Sequence, residues 1–283
     1  MRLLQPALLG LALAVALAVG AGAQTGPLFP EPFRVEHHLV QDDGDGNRFT
    51  SEPVVDTYGG SWIVSQRPDG GRLIVDLERR EMTEVRTADG TYWTVSFDRF
   101  AELQARLRAA HGIPDAAPQK KAAASASSGP VVTEAPTDLR NASALASKPG
   151  VRHLRVARQA EGSAMDVWVD PSLRLTPGAL AALDALDAAT SGRREDASPG
   201  RLLGAARSHA AGAVPVRTVR PLAAVGQIED VATRLEKLER FPGELAQVPE
   251  GLRRVPHPLE ATVRFLEEDR ERNAAMAAQP DAQ

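Results

Sequence analysis

Residues 72–107, RLIVDLERREMTEVRTADGTYWTVSFDRFAELQARL, decide the fold. The stretch opens on the apolar run Leu73-Ile-Val-Asp-Leu77, breaks at Glu78–Arg80 and resumes at Met82-Thr-Glu-Val-Arg86. Ala88-Asp89-Gly90 then turns the chain into Thr91-Tyr-Trp-Thr-Val95. Short runs rich in β-branched and aromatic residues, separated by turn residues, predict an antiparallel meander. The period then changes. Phe100, Leu103 and Leu107 stand at i, i+3 and i+7, which places them on one helical face. Ser96 or Asp98 can cap this helix, Glu102 and Arg106 are spaced as an i,i+4 pair, and Gly112 and Pro114 end it.

The same signals extend in both directions. Upstream, Phe33–Val40 and Ser61-Trp-Ile-Val-Ser65 read as strands, and Pro68-Asp-Gly-Gly71 is a turn because Pro fixes φ and Gly admits φ > 0. Downstream, residues 113–149 contain few large apolar side chains. Such a stretch buries too little surface to offset its ordering entropy, so it is expected to be a disordered insert or a linker. Strands resume at Val151–Arg158, Ala164–Val169 and Val214–Val219. Thr176-Pro177 has the N-cap and N1 pattern of a helix striped by Leu180, Leu183 and Leu186, and Leu202–Ala211 forms another short helix. Ile228–Leu238 fits either period. Pro258 opens a C-terminal helix with Leu259, Val263 and Leu266 on one side, and with Glu260–Arg264 and Glu268–Arg272 spaced as i,i+4 pairs. The expected organisation is a flexible leader over 24–32, an antiparallel-sheet region over 33–112 and 150–272, and a frayed tail over 273–283. The two sheet segments are either halves of one sheet or two domains.

The N-terminus reads as a signal peptide over residues 1–23. Arg2 supplies the positive charge, Leu8–Val19 the apolar run, and Ala21-Gly22-Ala23 the small-x-small cleavage site before Gln24. The apolar run is shorter than the ~20 residues that span a bilayer, and no later stretch reaches that length, so no stable membrane span is expected after cleavage. The chain has no cysteine, so it can hold neither a disulfide nor a thiolate ligand, and no cysteine follows Ala23 to carry a lipid. These features predict a soluble protein of the periplasm or secreted beyond it. Beyond residue 23 the chain carries 32 basic and 37 acidic residues, interspersed, which is no footprint for nucleic acid.

The order of motifs in 72–107, followed by Val167-Trp-Val-Asp170, Gly212–Arg217 and Val248-Pro-Glu-Gly251, resembles a group of uncharacterised exported bacterial proteins. That group is similar to the lipoprotein-carrier (LolA/LolB-like) superfamily. The resemblance implies an α+β fold in which a curved antiparallel β-sheet, a half-barrel with an apolar inner face, is partly filled by covering α-helices. It makes Ile228–Leu238 a strand. It also implies a lipid or other apolar small molecule as partner, bound in the concave face. It transfers no functional residue.

Several constellations invite chemistry. Asp43-Gly-Asp45-Gly-Asn47 imitates the start of a calcium loop, but Arg48 and Val54 stand where the pattern needs Gly and a bidentate Glu, which favours a hairpin turn. His37 and His38 are adjacent and, on a strand, point to opposite faces. Asp166, Trp168 and Asp170 share one strand face, with successive side chains on that face about 7 Å apart by strand geometry. Trp62, Trp93 and Trp168 read as packing residues. No G-x-S-x-G, Walker loop or dinucleotide pattern occurs, so no cofactor is expected and an exported hydrolase is the weakest reading. The stronger alternative to a ligand carrier is an envelope interaction protein that meets another envelope protein through 113–149 and the C-terminal helix. N-terminal sequencing of the exported protein is expected to begin at Gln24; a chain that retains Met1 would show the signal reading to be wrong.

Overall fold

The computed structural model describes residues 26–113, 130–136, 143–157, 164–191, 199–222 and 226–277. The signal-peptide residues, including Ala21, Ala23 and Gln24, lie outside the described residues. Seven strands come first: β1 (Phe29–Asp42), β2 (Arg48–Thr50), β3 (Val54–Gly60), β4 (Trp62–Gln66), β5 (Arg72–Asp76), β6 (Glu81–Arg86) and β7 (Thr91–Ser96). Helix α1 (Phe97–Ala110) follows, then β8 (Val131–Glu134), β9 (Arg152–Ala157) and β10 (Ala164–Arg174). Helices α2 (Pro177–Ser191) and α3 (Pro199–His209) lead to β11 (Ala213–Leu222) and β12 (Gly226–Lys237). A 3-10 turn (Gly243–Ala246), the two-residue β13 (Arg253–Arg254) and α4 (Pro258–Ala277) complete the described chain.

All thirteen strands belong to one open sheet, in the order β13-β7-β6-β5-β4-β3-β1-β12-β11-β10-β9-β8, with β2 paired beside β1. Every pairing is antiparallel except β13 with β7. The meander read from residues 72–96 is present as β5–β7, with Gly70 and Gly90 at φ +79° and +60° in the turns that lead into β5 and β7. The segments on either side of 113–149 meet through β1 and β12, which pair from Phe33↔Lys237 to Asp42↔Gln227 across a bulge at Glu36/His37. The strand that the resemblance implies at 228–238 is present as β12, although Ile228, Val231, Leu235 and Leu238 have helical spacing.

Three expectations are corrected. The leader is not free up to residue 32, because β1 begins at Phe29, whose ring is 2 % exposed and packs edge-on against Tyr58. The 113–149 stretch is not disordered throughout. Val131–Glu134 adds a strand to β9, and Leu145 and Ala146 are buried in the main core. The tail does not fray at 273, since α4 runs to Ala277. In the first two cases a few apolar side chains inside a polar or Pro-rich stretch reach a core assembled by distant segments.

The core has two sides. On one face Ile63, Val75, Met82 and Val95 align across β4–β7 and join Phe97 and Leu103 of α1 and Val263 of α4. On the opposite face Val64, Ile74 and Val85 are covered by Phe241, Leu245, Val248 and Leu252 of the segment after β12. Cover on both faces explains the unbroken apolar runs at 62–64 and 73–75. At the other end of the sheet, Leu202 and Ala206 of α3 pack on Leu154, Val156, Val167 and Val169.

The helices are held in place by local caps and ion pairs. Ser96 Oγ accepts the Arg99 N–H at the start of α1, and His257 Nδ1 accepts the Leu259 N–H at the start of α4. Arg106 does not bond Glu102 as its spacing suggests; α4 lies alongside α1, and Arg106 makes two hydrogen bonds to Glu267 at 3.0 and 2.6 Å. Glu260 likewise faces Arg99 at 3.4 Å rather than Arg264. After α3, Gly212 turns the chain into β11 at φ +82°, and a Cβ there would lie 2.4 Å from the Leu175 carbonyl oxygen. Gly212→Ala combines a left-handed backbone with a backbone clash, and is expected to lower unfolding free energy by about 2 kcal/mol or more. Urea denaturation checks this, and an unchanged midpoint would show that the turn relaxes freely.

Candidate functional site

The site is built where β3, β1 and β12 lie side by side. His37 sits on β1 at the bulge, opposite Ala232 of β12 and Val54 of β3. Its Nδ1 lies 2.7 Å from Asp230 Oδ1 on β12. Its Nε2 lies 3.3 Å from Asp56 Oδ2 on β3, an ion-pair contact. Burial alone would pull the His37 pKa down; the Asp230 and Asp56 carboxylates more than reverse that and raise it to about 10. The imidazole is therefore a cation at neutral pH, clamped between two acids from neighbouring strands.

Asp56 has further partners. Ser65 Oγ donates to its Oδ1 at 2.5 Å, and the Tyr58 hydroxyl donates to Oδ2 at 3.4 Å. Tyr58 stacks on Phe33 with ring centroids 4.5 Å apart and planes 9° from parallel. Burial, reinforced by the Asp56 charge, pushes the Tyr58 phenol pKa up, so the phenol stays protonated. The Ser65 hydroxyl points to a carboxylate and not to the imidazole, so Ser65, Asp56 and His37 do not form a nucleophile–base pair.

Between this part of the sheet and helices α2 and α3 lies a cavity of about 110 Å³. Phe33, Val35, Leu175, Leu183 and Leu203 supply apolar wall, and His37, Asp56, Asp230 and Arg207 gather polar groups at the same space. Arg207 comes from α3. Its Nε is buried and has no hydrogen-bond partner among the described residues. Burial holds its guanidinium pKa below the usual value.

The residues singled out by sequence reading fall elsewhere, His37 excepted. His38 lies along an open surface depression with Leu39 and Val54. Asp43 closes its own hairpin: its carboxylate accepts the backbone N–H groups of Asp45 and Asn47, and the Asn47 amide at 2.7 Å. The Asn47 hydrogen bond holds the Asp43 carboxyl below the usual range. Asp43 and Asn47 therefore bond to each other, and no group of three or more His, Asp or Glu among the described residues is placed to hold a metal ion.

Asp166 and Asp170 do not converge either. Asp166 meets His153 Nε2 at 3.1 Å, whereas Asp170 accepts the Ser172 N–H at 2.8 Å. Trp168 is packed between its two ladder neighbours. His153 stacks on it at 4.1 Å, and the Arg217 guanidinium lies 4.6 Å from its ring centre. Arg217 also bonds Glu229 at 2.9 Å in the interior. Trp93 donates to Glu84 at 2.7 Å, and Trp62 packs beside the second-face core.

Sequence reading does not single out Asp56, Tyr58, Arg207 or Asp230. One signal is present: Leu203 and Arg207 stand four residues apart on α3, which puts a cation on an apolar stripe.

No family model and no curated protein matches the chain. Among solved structures it is similar to an uncharacterised conserved protein from Thermus thermophilus, at 7 % identity and a TM-score of 0.37, over 80 % of this chain and 90 % of that one.

The clamp makes a prediction about pH. His37 has a folded pKa raised above its unfolded value near 6.5, so its contribution to stability is complete below pH 6.5 and is lost as pH rises through about 10. The His37 ring protons, followed by NMR, are expected to titrate near pH 10. A midpoint near 6.5 would show that the two carboxylates do not hold the proton.

Proposed function

We propose that this protein is a non-enzymatic, exported binding protein that takes an apolar small molecule, or the end of a lipid chain, into the cavity between the sheet and helices α2 and α3. The observation that carries the reading is the cavity itself: aliphatic and aromatic walls from Phe33, Val35, Leu183 and Leu203 meet convergent charged groups, among them His37 and Arg207, a mix found in small-molecule sites. Its volume is on the scale of the ~150 Å³ apolar cavities that accept a benzene-sized molecule. A short aliphatic ligand fits whole, while a longer acyl chain enters only as α2 and α3 move off the sheet. An open sheet with helices over one face is also the arrangement that the LolA/LolB-like resemblance implies.

A second reading, contact with another envelope protein, is favoured by one observation. Phe265 and Met276 of α4 are both more than 60 % exposed and stand eleven residues apart, three turns along the same side of the helix.

Native mass spectrometry separates the two. The chain is expressed with its own N-terminus and purified without detergent, beside a Leu203→Trp variant that fills the cavity. Wild type is expected to carry extra mass that organic extraction releases, and the variant to lack it. A clean unliganded mass for wild type, unchanged after incubation with a six-carbon probe, would overturn the ligand reading in favour of the second.

A further inference from the structure

We infer that the ligand is an aliphatic monocarboxylate whose carboxylate is held by Arg207. This rests on the binding reading above and names the chemistry of the site. Arg207 lines the cavity from α3, and its Nε is buried without a hydrogen-bond partner among the described residues. Arg207 is half-buried, with its Nε shielded from water and its planar fork suited to a carboxylate.

The acids nearest the cavity are occupied. Asp56 serves Ser65, Tyr58 and His37, and Asp230 serves His37. Asp184 and Asp187 of α2 attract Arg207 only through space. The ligand therefore supplies what the protein leaves out.

The charge balance favours a monoanion over a dianion. His37 as a cation with Asp56 and Asp230 as anions carries a net charge of −1. Arg217, which also lines the cavity, is balanced by its partner Glu229, so Arg207 brings the cavity to neutrality; one carboxylate then leaves it at −1, whereas a doubly charged phosphate would set a second negative charge close to Asp56 and Asp230. The Tyr58 phenol, which interacts electrostatically with Arg207, stays protonated beside the guanidinium, and Phe33, Leu183 and Leu203 take the aliphatic part.

The test is calorimetric titration of the full chain with sodium hexanoate and with 1-hexanol, which match in length and differ in charge. Wild type is expected to bind hexanoate about tenfold or more tightly than hexanol, the scale of one charge-assisted hydrogen bond. Arg207→Met is expected to lose that preference and keep its affinity for hexanol. If the variant does not fold by circular dichroism, the hexanoate-to-hexanol ratio of wild type decides alone. Equal affinity for acid and alcohol would overturn the carboxylate assignment and leave the apolar cavity reading standing; binding of neither would overturn both. Where hexanoate is preferred, hexadecanoate in the same assay separates the sources of that chemistry. Tighter binding of the long chain assigns a fatty acyl carboxylate, and loss of binding assigns a free short acid.

Discussion

The pairing of β1 with β12 carries the rest of the structure. The two strands are separated by most of the described chain, yet they run side by side over ten register positions and join the two groups of antiparallel strands into one sheet. His37 reinforces this seam from β1, reaching Asp230 on β12 and Asp56 on β3, so that one imidazolium ties three adjacent strands. Bringing such distant segments together costs loop-closure entropy. The clamp and the apolar side chains of the seam, with Phe33, Val35 and Ala232 in the main core, offset that cost where it arises.

The clamp and the cavity are parts of one arrangement. His37 and its acids lie at the bulge, where the ladder is irregular and a side chain can be re-aimed. Helices α2 and α3 lie over this region and close the space with Leu183 and Leu203. Charges at the seam are paired between neighbouring strands, whereas the Nε of Arg207, the cation that α3 brings to the cavity, has no hydrogen-bond partner among the described residues. This division of charge between sheet and helix is what gives the cavity its proposed chemistry.

Local elements are legible in the sequence because local physics fixes them. Turns such as Asp69-Gly70 and Asp89-Gly90 place glycine where φ is positive, and α1 declares itself by its 3.6-residue stripe and its Ser96 cap. Strand β3 escapes a sequence reading because Pro53 and Gly59-Gly60 bracket it with breaker signals, although Val54–Tyr58 lies between two strands that pair with it. Strand β12 fits either period by spacing because Glu229, a charged residue, is buried against Arg217 and interrupts the alternation. The site is hidden for a different reason. Its members come from β1, β3, α3 and β12, and no local pattern predicts that His37 will meet an acid 193 residues away.

Native-state hydrogen exchange across the β1–β12 ladder tests the central claim, that one cooperative sheet runs through this seam. The account predicts that the ladder amides of Val35 to Val40 and of Asp230 to Leu235 exchange as slowly as those of β4 and β5, and only through global unfolding. Rapid exchange along β1–β12 while β4 and β5 remain protected would contradict it, because the two halves would then open independently and the cavity between sheet and helices would lose its floor.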